Sequence, residues 1–135
     1  MNKSDNFIAQ IDVSIIEIIP QRTQIDILRS SLNKNQSIID YSVENPETKN
    51  KFLSLKKILK SSSKINGIIF FSLIQFCYNN GELMDIELIK NLAKKYKLIF
   101  FKEKINIENI KKFNEYESSL KFFKNNNLRI INKFI

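Results

Sequence analysis

The feature that most constrains this chain is Gly67-Ile68-Ile69-Phe70-Phe71-Ser72-Leu73, an apolar run broken only near its end by a small hydroxyl. Helical patterns flank it on both sides. A run this short and this rich in Ile and Phe reads as a strand buried on both faces, the kind found in parallel sheets covered by helices. In such sheets ligands sit beyond the carboxyl ends of the strands, so Ser72 and the residues after it mark where a site belongs.

The rest of the chain alternates in the same way. Phe7 to Ile19 is β-branched and partly alternating, with Ile11, Val13 and Ile15 set against Asp12 and Ser14, and reads as the first strand. Pro20 stops it and suits the opening of a helix, where its missing N–H is not needed. Ile25, Leu28 and Leu32 then recur at helical spacing through Asn33. Ile38 to Val43 reads as a second strand. Asn45-Pro46-Glu47 carries a capping side chain, a first-turn proline and an acid at the positive end of the helix dipole. Phe52, Leu55, Ile58 and Leu59 line one face of that helix, which ends in Ser61-Ser62-Ser63. After the Gly67–Leu73 strand, Asn79-Asn80-Gly81 breaks the chain. A helix is expected over about Glu82–Tyr96, and Leu98–Phe101 reads as a fourth strand. Ile107, Ile110, Phe113 and Leu120 predict another helix to about Lys124, with Leu128–Ile131 a short strand or packed tail.

This β-α-β-α-β-α-β order predicts an α/β fold with a mostly parallel four-stranded sheet, right-handed crossovers and flanking helices, Rossmann-like in three layers. The α/β domain is expected over residues 1–105, with a helical C-terminal extension over 106–135 packed on it. A chain of 135 residues accommodates one such domain. It has no apolar run near the roughly 18 residues that would span a bilayer. The first six residues lack a secretory apolar region, and Cys77 is the only cysteine, so a reducing, cytoplasmic setting is expected. There is no histidine; imidazole catalysis and His-ligated metal are therefore excluded. No metal or cofactor is expected.

The net charge of +8 is unevenly placed. Residues 1–89 balance ten Lys/Arg against ten Asp/Glu, whereas residues 90–135 hold twelve against four. The basic third is either a lysine-coated solvated face or a polyanion-facing surface that includes Lys90, Lys94, Lys95, Lys97, Lys111, Lys112 and Lys124.

Polar residues just past the strand ends are the candidate ligand-binding set. They are Gln21, Arg22 and Gln24 after the first strand, Ser42 and Glu44 after the second, Ser72 and Gln75 after the third, and Glu103 after the fourth. Taken singly, each is more often a cap or a loop residue; their arrival from all four strand ends makes them a site. With glycine only at positions 67 and 81, neither a glycine-rich dinucleotide loop nor a phosphate-cradling loop is present. No motif decides whether the chain is an enzyme. Glu44 and Glu103 would act as an acid–base pair only if they lie close together.

Two family resemblances rest on these residues. Gln24 on the first helix, Glu44 after strand two, Ser72-Leu73 ending strand three and Glu103 after strand four resemble the serine recombinase (resolvase) catalytic domain in pattern. The resemblance implies a resolvase-like fold and stops at the chemistry. The family's nucleophilic serine falls on Pro20, an arginine falls on Ile18, and the arginine-bearing run after strand three reads Ile74-Gln75-Phe76-Cys77-Tyr78-Asn79. Over roughly residues 7–105 the chain also resembles the sporadic carbohydrate cluster family, small proteins encoded among bacterial surface-polysaccharide genes. Ile19-Pro20-Gln21 with Gln24, then Tyr41, Ser42 and Glu44, then Gly67–Leu73, and finally the strand ending near Glu103 carry that resemblance. Ser14-Ile15-Ile16-Glu17-Ile18 stands where a polar loop containing Arg and Gly is expected. The resemblance implies a place in surface-carbohydrate biosynthesis; a sugar or nucleotide sugar at the strand-end crevice is the ligand expected of such a protein. The alternatives are a non-catalytic interaction subunit, pairing with its own copy or with a carbohydrate enzyme, and a nucleic-acid or polyanion binder using the basic third.

Overall fold

A computed structural model describes residues 5–12, 20–44, 52–78 and 83–126. Strand β1 (Asp5–Asp12) leads through residues outside the described set to helix α1 (Gln21–Ser31) and strand β2 (Gln36–Glu44). Helix α2 (Leu53–Ser61) and strand β3 (Gly67–Phe70) follow, then a 3-10 turn over Leu73–Phe76. Two short antiparallel strands, β4 (Cys77–Tyr78) and β5 (Leu83–Met84), precede helix α3 (Ile86–Ala93). Strands β6 (Lys97–Phe100) and β7 (Ile105–Ile107) and helix α4 (Ile110–Asn126) complete the described chain.

The main sheet runs β2-β1-β3-β6-β7. Its first four strands are parallel, and β7 returns antiparallel to β6. The α/β class and the mostly parallel sheet agree with the sequence. The strand count does not, because Ile105-Asn106-Ile107 adds a fifth. Ile107 fits the helical spacing of Ile110 and Phe113, but it is buried against the sheet in this strand, and the helix starts at Ile110. A four-residue turn (Phe101–Lys104) with Lys104 at φ 57° makes the reversal. The hydrophobic run at Gly67 is also divided, with only its first four residues in the ladder and Leu73 opening the 3-10 turn. The helix start expected at Asn45-Pro46-Glu47 and the tail at Leu128–Ile131 lie outside the described residues.

Right-handed crossovers decide which face each helix covers. The chain steps one way from β1 to β2, which puts α1 on one face. It then crosses back over β1 to β3 and onward to β6, which puts α2 and α3 on the other. The two core clusters follow this division. Ile8, Ile68, Phe70, Leu98 and Phe100 face α2, α3 and α4 through Leu55, Leu59, Ile89, Leu92 and Phe113. Phe7, Ala9, Ile11, Ile69 and Phe71 face α1 through Leu28. On the first face Phe52, Phe70, Phe76 and Phe100 form an aromatic cluster, with the Phe70 and Phe100 rings stacked at 5.1 Å and Phe76 edge-on to both. Such edge and offset contacts add to the area the rings bury.

The amino ends of the strands are closed by a polar clasp. Lys97 Nζ lies 2.9 Å from Asp5 Oδ2, Asn66 Nδ2 donates to Asp5 Oδ1, and the Asn6 main-chain N–H donates to Asn66 Oδ1. At the outer edge, β2 shifts register against β1 between Phe7 and Ile8, so that Ile38 pairs with Phe7, Asp40 with Ile8, and Ile39 is left over as a bulge residue. Arg29 of α1 donates to the Tyr41 hydroxyl and tethers that edge.

Gly67 is needed at the start of β3 for space. A Cβ built there overlaps the ring of Phe7, which is fully buried on the neighbouring strand. Gly67→Ala is expected to lower stability by about 1–3 kcal/mol through overpacking, read as a lower urea midpoint with an unchanged slope.

Candidate functional site

The strand order reverses between β1 and β3: the chain leaves β1 toward β2, and it leaves β3 the other way toward β6. In open α/β sheets the crevice outside this reversal is where ligands bind. Here the carboxyl ends of β2, β1, β3 and β6 are joined there by one line of hydrogen bonds.

The line begins at Glu44, the last residue of β2. Its carboxylate accepts from the main-chain N–H of Ser54 at 2.6 Å and of Leu55 at 3.4 Å, capping a helix whose own N-cap, Phe52, has no capping side chain. Oε2 of the same carboxylate accepts from Gln10 Nε2 at 2.9 Å and from the Ser42 hydroxyl at 3.5 Å. Gln10 is buried in β1, and its main-chain oxygen accepts from Gln75 Nε2 at 2.9 Å. Gln75 Oε1 accepts from the Ser72 main-chain N–H at 3.1 Å. Ser72 Oγ donates to Glu103 Oε2 at 2.7 Å, and the Leu73 N–H donates to Glu103 Oε1 at 2.9 Å. The β6–β7 turn is carried to this position by further parallel pairing, Phe101 N–H to Phe70 O and Lys102 N–H to Phe71 O.

Burial raises the Glu103 carboxyl above the ordinary carboxylate range. The hydroxyl of Ser72, the N–H of Leu73, its own backbone N–H and the Lys102 ammonium pull it part of the way back. Lys102 moves the other way: burial lowers it and Glu103 opposes the shift. Both side chains therefore hold their charge less firmly than they would in water.

Of the expected site residues, Ser42, Glu44, Ser72, Gln75 and Glu103 are brought into this one line. Gln21 and Arg22 are exposed on the first turn of α1, and Gln24 is buried in the same turn. Its N-cap residue, Pro20, makes no side-chain capping bond, and its first turn holds no acid. Arg22 is the basic side chain of that first turn. Glu44 and Glu103 each spend both carboxylate oxygens on donors of the fold. They are arranged as two caps, each serving its own loop. The sequence reading missed Gln10, although the signal was present: a lone amide inside Phe7-Ile8-Ala9-Gln10-Ile11 interrupts an otherwise apolar strand.

The fold and site thus define a small α/β protein with a mostly parallel sheet and a polar line at its topological switch point. No family model matches the chain, and no curated protein matches it. Among the described residues, no helix is long and apolar enough to cross a membrane.

A carboxyl with a raised folded-state pKa holds its proton more tightly in the native state, so stability falls as pH rises through the window. That window opens near the ordinary value of 4.5 and closes at the raised one. Glu103→Gln keeps an acceptor for Leu73 and removes the titration. Its stability relative to wild type is therefore expected to rise between pH 4.5 and 8 in urea unfolding, and to be flat if Glu103 titrates normally. Glu44→Ala uncaps α2 and strands the Gln10 amide, with an expected loss of about 2–4 kcal/mol at pH 7 in the same assay.

Proposed function

We propose that this chain is a binding protein of surface-carbohydrate biosynthesis that takes a sugar or nucleotide sugar at the crevice between the ends of β1 and β3. The observation that carries the reading is the convergence of Gln10, Glu44, Ser72, Gln75 and Glu103 in one hydrogen-bonded line at the switch point. Amide and hydroxyl groups fixed by their neighbours suit the recognition of sugar hydroxyls, because they cost little to order on binding. Arg22, exposed on the first turn of α1, suits a phosphate or diphosphate. The resemblance to the sporadic carbohydrate cluster family supplies the pathway. The resolvase-like description of the fold is supported by the same strand-end positions and by the parallel sheet between helices. Recombination is not part of the reading, since Pro20 stands at the nucleophile's place. A cytoplasmic setting suits a protein that takes an activated sugar.

The test is thermal. UDP-glucose, UDP-N-acetylglucosamine, GDP-mannose and dTDP-glucose are titrated separately against the folded chain. A ligand at a hundred times its Kd stabilises by about 2.7 kcal/mol, which for a chain of this size is a shift of several degrees. At least one nucleotide sugar is expected to give such a shift, and Arg22→Ala to remove most of it. A flat response across the set overturns the reading.

A further inference from the structure

One buried acceptor in this line has no donor. Gln10 is 1% exposed, and it pairs across the sheet with Ser42 on one side and Phe70 on the other. Its Nε2 donates to Glu44 and its main-chain oxygen accepts from Gln75, but its Oε1 is without a partner. The direction of the amide is not arbitrary. A carboxylate only accepts, so turning the amide over would set its oxygen against Glu44 Oε2. Glu44 is itself held by the main chain of α2. Oε1 is thus an acceptor fixed at the point where the strand order reverses.

We propose that Gln10 is a ligand-binding residue of this site, its Oε1 accepting a hydrogen bond from a hydroxyl of the bound sugar, with Glu44 as its positioning residue. The proposal rests on the sugar-binding reading above and names the contact that selects the sugar. A neutral hydroxyl fits better than an ammonium group, because the neighbouring carboxylate already receives donors from Gln10, Ser42, Ser54 and Leu55. A ligand without that hydroxyl leaves the acceptor unmatched, which is how a polar pocket discriminates strongly between similar molecules. Oε1 is closed to bulk solvent, so the crevice rearranges locally to admit the hydroxyl. Association is then slower than docking to an open surface.

The experiment compares UDP-glucose, GDP-mannose and dTDP-glucose, each against its parent nucleotide, by calorimetric titration of wild type and Gln10→Met. Methionine keeps the length of the side chain and removes the acceptor. The nucleotide sugar that binds wild type is expected to bind the variant about tenfold or more weakly, while the parent nucleotide binds both alike. Since Gln10→Met also takes a donor from Glu44, a second measurement uses wild type alone. The Gln10 Cδ resonance is expected to move on saturation with the nucleotide sugar and to stay in place with the nucleotide. Equal weakening of sugar and nucleotide, unweakened sugar binding, or a Cδ resonance that does not move overturns the proposal. So does a long-lived internal water beside the Gln10 amide in both the free and the saturated protein. Failure of every nucleotide sugar to bind wild type overturns the sugar-binding reading itself, and that failure appears without the variant.

Discussion

Ending a buried parallel strand is an electrostatic problem, and the way this chain solves it organises the rest of the structure. Beyond β2 and β3 the main chain turns into α2 and into the 3-10 turn, and the leading N–H groups of those turns need acceptors away from bulk water. Glu44 supplies them for α2, and Glu103 for the turn after β3. Neither acid is local to the turn it caps: Glu44 reaches ten residues ahead, and Glu103 reaches back thirty. The caps thus fix tertiary structure as well as helix ends. The β6–β7 turn cannot leave the sheet without undoing the turn after β3.

Gln10 and Gln75 connect the two caps. An amide both donates and accepts, so it can relay between a carboxylate and a main-chain carbonyl where a second carboxylate would repel. The result is a polar floor whose side chains hold one another in place. Stiffness is what a recognition surface requires, because groups already held in place lose little freedom when a ligand arrives. The same floor explains how Glu103 can be both buried and ionisable: its donors are built into the fold around it, and desolvation still outweighs them.

Much of this was legible in the sequence. The apolar run at Gly67, the helical spacing of Leu55 and Leu59, and the alternation of β and α segments were enough for the class and the parallel sheet. Glu44, Ser72, Gln75 and Glu103 were legible as strand-end residues, because the ends of β2, β3 and β6 are marked by a change from apolar to polar. The fifth strand was not. Three residues with two isoleucines fit a strand and the start of a helix equally well, and only the reversal at Lys104 separates them. Gln10 is hidden in the sequence because a strand interior is recognised by its apolar majority. Its role depends on Glu44, thirty-four residues away, and no local pattern records that partner.

The irregular pairing of β2 has a bearing on how the molecule behaves in a crowd. No described strand pairs with the outer side of this nine-residue strand, and Ile39 and Val43 on it are exposed. A straight ribbon of that length would offer neighbouring molecules a ready template for stacking sheet upon sheet. The extra residue at Ile39 throws the repeat out of step near mid-strand, and Asp40 beside it puts a charge at the break. An incoming strand meets two short, mismatched stretches instead of one continuous ladder, which limits growth from this side.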